Sequence, residues 1–145
     1  MNRLTVRILL AFLFCGFLSP LFARAQDKKI ADSLDAGVPG TIEGLVRDIS
    51  CPMQAKDATA TKFNMACVRE CVKGGSPLIL LSKDGSIYIP ISDSMPDKDQ
   101  RERLLPFAGK YVKVTGQIYE RQGTRAIAIK DIKEMKDVPL ITDAQ

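Results

Sequence analysis

LILLSKDGSIYIPI, residues 78–91, is a β-hairpin spelled out in residue types. Two apolar runs flank Ser82-Lys83-Asp84-Gly85, and an Asp-Gly pair between β-formers is a strong short-range hairpin signal. Ile87, Ile89 and Ile91 share one face by the two-residue period, Tyr88 takes the other, and Pro90 places the second run at a sheet edge or a strand end. Towards the N-terminus, Thr41 to Ile49 is β-branched and roughly alternating, with Gly44 placed for a bulge that switches faces. This is the first strand, stopped by Cys51-Pro52. Towards the C-terminus, Tyr111 to Glu120 and Thr124 to Ile132 pair across Arg121-Gln122-Gly123, with Val112, Val114 and Ile118 facing Ile127 and Ile129 and Gly116 at a tight bend.

Helical periodicity fills the gaps. From Thr61 to Lys73, Phe63, Asn64, Cys67 and Cys71 fall on one arc continued by Val68, Val72 and Met65, so both cysteines are expected to face the protein. Gly74-Gly75 stops that helix and Pro77 prevents its continuation. A second helix is expected from Met95 to Leu105, with Ser94 as N-cap, Asp97 at the positive end of the dipole and Pro106 closing it. The predicted fold is therefore mainly β: a five-stranded OB-like barrel with a helical insert between strands 1 and 2 and a helix between strands 3 and 4. An open α+β sandwich fits the same element order.

Residues 1–25 read as a cleaved signal peptide: a basic Met1–Arg7, an apolar Ile8–Phe22 and a small-x-small site at Ala23-Arg24-Ala25. The apolar run is shorter than the roughly 20 residues a membrane span needs, so no stable anchor is expected after cleavage. Cys15 falls within it and is discarded with it. Residues 26–40 read as a flexible leader, 41–135 as the domain and 136–145 as a frayed tail. The expected location is periplasmic or secreted.

Composition removes several classes of chemistry. A chain of 145 residues holds one domain of modest core. With 0 histidines there is no Ser/His or Cys/His nucleophile pair, no histidine-ligated zinc or haem and no imidazole switch. The formal charge of +4 includes Arg3, Arg7 and Arg24, which lie in the first 25 residues with no acidic partner, so the remainder is near neutral. A nucleic-acid partner is thereby disfavoured, since phosphate binders carry a basic stripe. Asp48, Asp57, Asp84, Asp93, Asp97 and Glu120 are scattered turn and cap residues with no spacing that builds a carboxylate pair. Gly74-Gly75 follows a helix, whereas a phosphate loop precedes one. No catalytic residue is assigned, and a non-enzyme is favoured.

The chain resembles a group of small exported bacterial proteins with an OB-like barrel. The resemblance covers about residues 41–132 and rests on Gly44 to Asp48 followed by Ser50-Cys51, on Ala66-Cys67 and Cys71 with Lys73-Gly74-Gly75-Ser76-Pro77-Leu78, and on Leu105-Pro106-Phe107-Ala108-Gly109-Lys110 with Val112, Val114-Thr115-Gly116 and Ala126-Ile127. The C-x3-C-x2-GG-x-P set is its more specific part. It implies an exported domain with a cysteine-bearing insert and no particular reaction. Similar proteins often carry histidines between the first cysteine and the C-x3-C. This chain has none, which argues against a histidine-dependent metal or haem role.

The insert concentrates sulfur: Cys51, Met53, Met65, Cys67 and Cys71. Thiolate and thioether are soft ligands that favour Cu(I), so a three-cysteine copper site assisted by methionine is chemically sensible, whereas a four-thiolate zinc site lacks a ligand. Thiol redox chemistry is the companion reading, with Cys51 exchanging partners between Cys67 and Cys71. The bland alternative is a disulfide from Cys51 to Cys67 or Cys71 that staples the insert, the third cysteine being core. A Cys67–Cys71 bond is disfavoured, because residues one helical turn apart lie at the limit of reach. In a separate binding-module reading, Tyr88 and Tyr119 offer a stacking platform for a small ligand or an envelope protein partner.

Overall fold

A computed structural model describes residues 36–55 and 57–143. The expected signal peptide and the expected leader as far as residue 35 lie outside them. The elements are β1 (Val38–Asp48), α1 (Ser50–Gln54), α2 (Met65–Lys73), β2 (Leu78–Ser82), β3 (Ile87–Ile91), α3 (Arg101–Leu104), a 3-10 turn (Leu105–Phe107), β4 (Tyr111–Arg121) and β5 (Thr124–Glu134). The strands close into a five-stranded barrel in the order β1-β2-β3-β5-β4. The fold is thus the expected mainly-β, OB-like barrel and not an open sandwich. β1 pairs on both sides, with β2 from Gly44 to Asp48 and with β4 from Val38 to Leu45. β3 meets β5 in parallel, Ile89 opposite Ala126, and this contact leaves no open gap in the ring.

The core is filled by Leu45, Val46, Leu80, Val112, Val114 and Ile127, all fully buried. At 25–30 cal/mol per Å2 of apolar surface, each such side chain contributes about 1.5–3 kcal/mol, so the barrel is held mainly by these strand residues. Phe63, Val68 and Val72 from the insert extend the same cluster, and Leu104 seals it from α3. Gly44 is no bulge: a Cβ there would strike the Leu81 carbonyl, so the glycine lets β2 approach. The irregularity falls at Thr115/Gly116, where a Cβ on Gly116 would strike the Ala128 carbonyl.

Several expected boundaries are corrected. β1 begins at Val38, inside the expected leader, because Val38 to Gly40 pair with Ile118 to Gly116. The expected helix from Met95 to Leu105 shrinks to α3. Ahead of it, Asp97 Oδ1 accepts from Ser92 N–H and Oγ–H, and Ser92 Oγ accepts from Lys98 N–H, so side chains take the backbone groups a helix would use. Ser94 caps nothing. Asp99 Oδ1 instead accepts from Arg101 N–H.

The expected frayed tail is also corrected. Phe63 N–H donates to Ile141 O at 2.9 Å, Ile141 N–H to Thr61 O at 2.8 Å and Met65 N–H to Thr142 O at 2.9 Å. Val138 and Leu140 pack half-buried against the core. Residues 138–143 thus form a strap along Thr61–Met65, of which 61–64 are extended, not helical, ahead of α2. The charges and Pro139 hid this, since backbone pairing needs no particular side chain.

Candidate metal centre

Three cysteines converge in the insert. The Sγ atoms of Cys51, Cys67 and Cys71 all lie within 4.8 Å of one another. No other cysteine, aspartate or glutamate joins this group among the described residues. Each cysteine is set by its own local device. Asp48 Oδ2, at the end of β1, accepts from Cys51 N–H at 2.8 Å, while Cys51 O accepts from Ala55 N–H at 2.8 Å to close α1.

Asn64 is the N-cap of α2, its Oδ1 accepting from Cys67 N–H at 2.9 Å. Asn64 satisfies one of the orphan donors of the helix's first turn, which is why α2 starts at Met65. At the other end, Ser76 N–H donates to Cys71 O at 3.0 Å and Gly75 N–H to Val72 O at 3.1 Å, with Gly75 at φ 89°. This is a Schellman exit, and only a glycine adopts that φ without strain. Arg101 from α3 donates to Ser76 O at 2.9 Å and to Val72 O, fixing the exit loop to the barrel. The GG-x-P motif is therefore the device that sets Cys71.

The buried stripe of α2 is Val68 and Val72, and the cysteines occupy its flank towards Cys51. Cys67 is exposed, while Cys51 and Cys71 are half-buried. The expectation that both helical cysteines face the protein fails for Cys67. All three are free thiols. The shortest approach is Cys51 Sγ to Cys67 Sγ at 2.7 Å, beyond the bond length of about 2.05 Å. The disulfide staple is not formed in this structure.

Beneath the sulfurs lies a charged pair that the sequence reading overlooked. Arg47 is 1% exposed and Asp48 0%. Arg47 Nη2 approaches Asp48 Oδ1 at 3.5 Å, its guanidinium sits over the Phe63 ring at 5.9 Å, and its Nε and Nη1 have no hydrogen-bond partner among the described residues. Asp48 does cap, as expected of the acidic residues, but it also sits buried beside the thiols. Burial pushes the Cys51 thiol up from 9.0 to about 11, helped by the contact with Cys67 and the Asp48 carboxylate and opposed by Arg47. Burial, then Asp48, raises Cys71 as well.

A pH dependence follows. A thiol that holds its proton more tightly in the folded state stabilises the fold below pH 9 and loses that contribution as pH rises towards 11. Melts of the reduced, metal-free protein are expected to fall faster between pH 9 and 11 than those of Cys51→Ser. Equal slopes would overturn the assignment to Cys51.

The two methionines differ in burial. Met65 lays its Sδ against Gly109 and packs on the core, and Met53 is 71% exposed on α1. Tyr88 and Tyr119 are not brought together. The register puts Tyr119 opposite Ala126 and Ala126 opposite Ile89, so Tyr88 is on the other face. Tyr88 and Ile87 are half-buried against the core, and Ile89 is 40% exposed.

Compared with known protein families, curated proteins and solved structures, the chain matches none. Among the described residues no helix is long and apolar enough to cross a membrane.

Proposed function

We propose that this is an exported domain whose insert holds one soft metal ion, monovalent copper, on Cys51, Cys67 and Cys71. The observation that carries the reading is three sulfurs within 4.8 Å, drawn from two helices whose cysteine backbones are individually pinned. Two thiolates sharing one ion at the metal–sulfur distance of about 2.3 Å stand about 3.8–4.0 Å apart. The cluster needs only a small opening at Cys51–Cys67 to reach that span. Thiolates select soft ions, and three of them without a fourth histidine, cysteine or carboxylate suit Cu(I) better than four-coordinate structural zinc. Binding releases the thiol protons, so affinity rises with pH. Support for export is the basic, apolar, small-x-small pattern of residues 1–25.

The test is an anaerobic titration of the reduced protein with Cu(I) against the chromophoric chelator bicinchoninate. The expected result is one tightly held copper per chain, with each Cys→Ser variant at 51, 67 or 71 losing at least about tenfold in affinity. Failure to compete with the chelator, or variants that bind as well as the parent, would overturn the reading.

The 2.7 Å Cys51–Cys67 contact favours a second reading, thiol–disulfide exchange. Two thiols there would give two electrons and two protons to an incoming disulfide, which leaves as two thiols. Oxidation with glutathione disulfide and peptide mapping tests it, and a Cys51–Cys67 link with Cys71 free is the expected product.

A further inference from the structure

We infer that the copper-binding cluster is a hand-over site, exchanging its ion with an incoming sulfur donor through the Cys67 side. The inference rests on the copper-binding reading above. Its structural basis is the asymmetry of the cluster. Towards the barrel the thiols are backed by Arg47 and Asp48, both fully buried, and by the core residues Phe63, Val68 and Val72. Towards solvent stands Cys67, the one exposed residue of the three, Cys51 and Cys71 being half-buried. No fourth cysteine, aspartate or glutamate closes the group among the described residues. A site built to retain its ion would turn every ligand inward and shield the set with apolar side chains. This one leaves a coordination position and its exposed ligand facing water.

The partner that fits is defined by chemistry: a thiolate or thioether donor, because only a soft ligand competes with three thiolates for Cu(I). In the exchange the incoming thiol loses its proton to solvent and forms a sulfur–copper bond, the Cys67–copper bond breaks, and the Cys67 thiolate takes a proton. Copper stays monovalent throughout, so no electron acceptor is required. The chain beyond residue 25 is near neutral in formal charge, with Arg69, Glu70 and Lys73 exposed on α2. Recognition there rests on sulfur exchange and not on long-range charge steering.

The experiment uses reduced protein loaded anaerobically with one Cu(I), with bathocuproine disulfonate as the recording acceptor and reduced glutathione as the entering thiol. Transfer is expected to quicken in proportion to glutathione, tenfold for a tenfold rise, without reaching a plateau. A rate indifferent to glutathione means that copper must leave before any ligand enters, and overturns hand-over while leaving copper binding intact. Failure to load one copper at the start overturns the underlying reading instead.

Discussion

Asp48→Asn is expected to lower stability by about 3–5 kcal/mol, a fall in melting temperature of at least about 10 °C, although the amide oxygen still faces the Cys51 N–H. The loss comes from charge. Among the described residues, buried Arg47 has two nitrogens without a hydrogen-bond partner and the Asp48 carboxylate, at 3.5 Å, as its ion-pair partner. Removing that carboxylate leaves a guanidinium in the interior with no counter-charge among the described residues, only the Phe63 ring beside it. The double variant Arg47→Met, Asp48→Asn removes both charges, keeps the acceptor for Cys51 and keeps an apolar body over Phe63. It is therefore expected to recover most of the loss, because replacing a whole buried pair is far milder than breaking one. Thermal melts of the parent, the two single variants and the double variant decide the matter. A double variant no more stable than Asp48→Asn would show that the pair is not what the fold depends on here.

Ending the chain after Lys136 is expected to leave the barrel folded and the sulfur cluster loose. The strap contributes three backbone hydrogen bonds to Thr61–Met65 and the half-buried Val138 and Leu140. At about 0.5–1.5 kcal/mol per hydrogen bond, its removal releases about 1.5–4.5 kcal/mol of local stability. Amide exchange at Phe63 and Met65 is then expected to quicken by about ten- to a thousandfold, while amides of β1 and β4 keep their protection. Copper affinity is expected to fall at least about tenfold, the scale on which support around metal ligands acts. Unchanged exchange at Phe63 and Met65 would show that the insert holds itself. Loss of protection in β4 would show that the strap supports the barrel as well.

The barrel was legible in the sequence because strand faces and turn residues are local signals. Asp84-Gly85 and Gln122-Gly123 sit where the structure turns, with φ 85° at Gly85 and 77° at Gly123. The sulfur cluster was legible as a set of residue types, and the structure brings Cys51, Cys67 and Cys71 of that set together. What escaped was non-local. Arg47 and Asp48 look like a strand's polar end until the insert folds over them, and Phe63, which shields Arg47, lies 16 positions away. Arg101 gave no hint that it would hold the exit of α2, since the Val72 and Ser76 carbonyls it reaches are chosen by tertiary packing. The strap escaped for the same reason, being built from main-chain groups that every residue carries.

Asp48, the last residue of β1, stands directly opposite Leu78, the first of β2. Both ends of the 29-residue excursion from 49 to 77 therefore leave the barrel at one point. The entropy of tying that loop is spent when the two strands pair, whatever the loop goes on to do. Rearrangement of the sulfurs, whether to seat an ion or to let one go, thus strains a segment already closed at its base and leaves the strand register alone. The same geometry makes the excursion a removable cassette: a short turn joining Asp48 to Leu78 would satisfy the barrel's connectivity, and an excursion of different length or ligand set could be grafted at the same two residues.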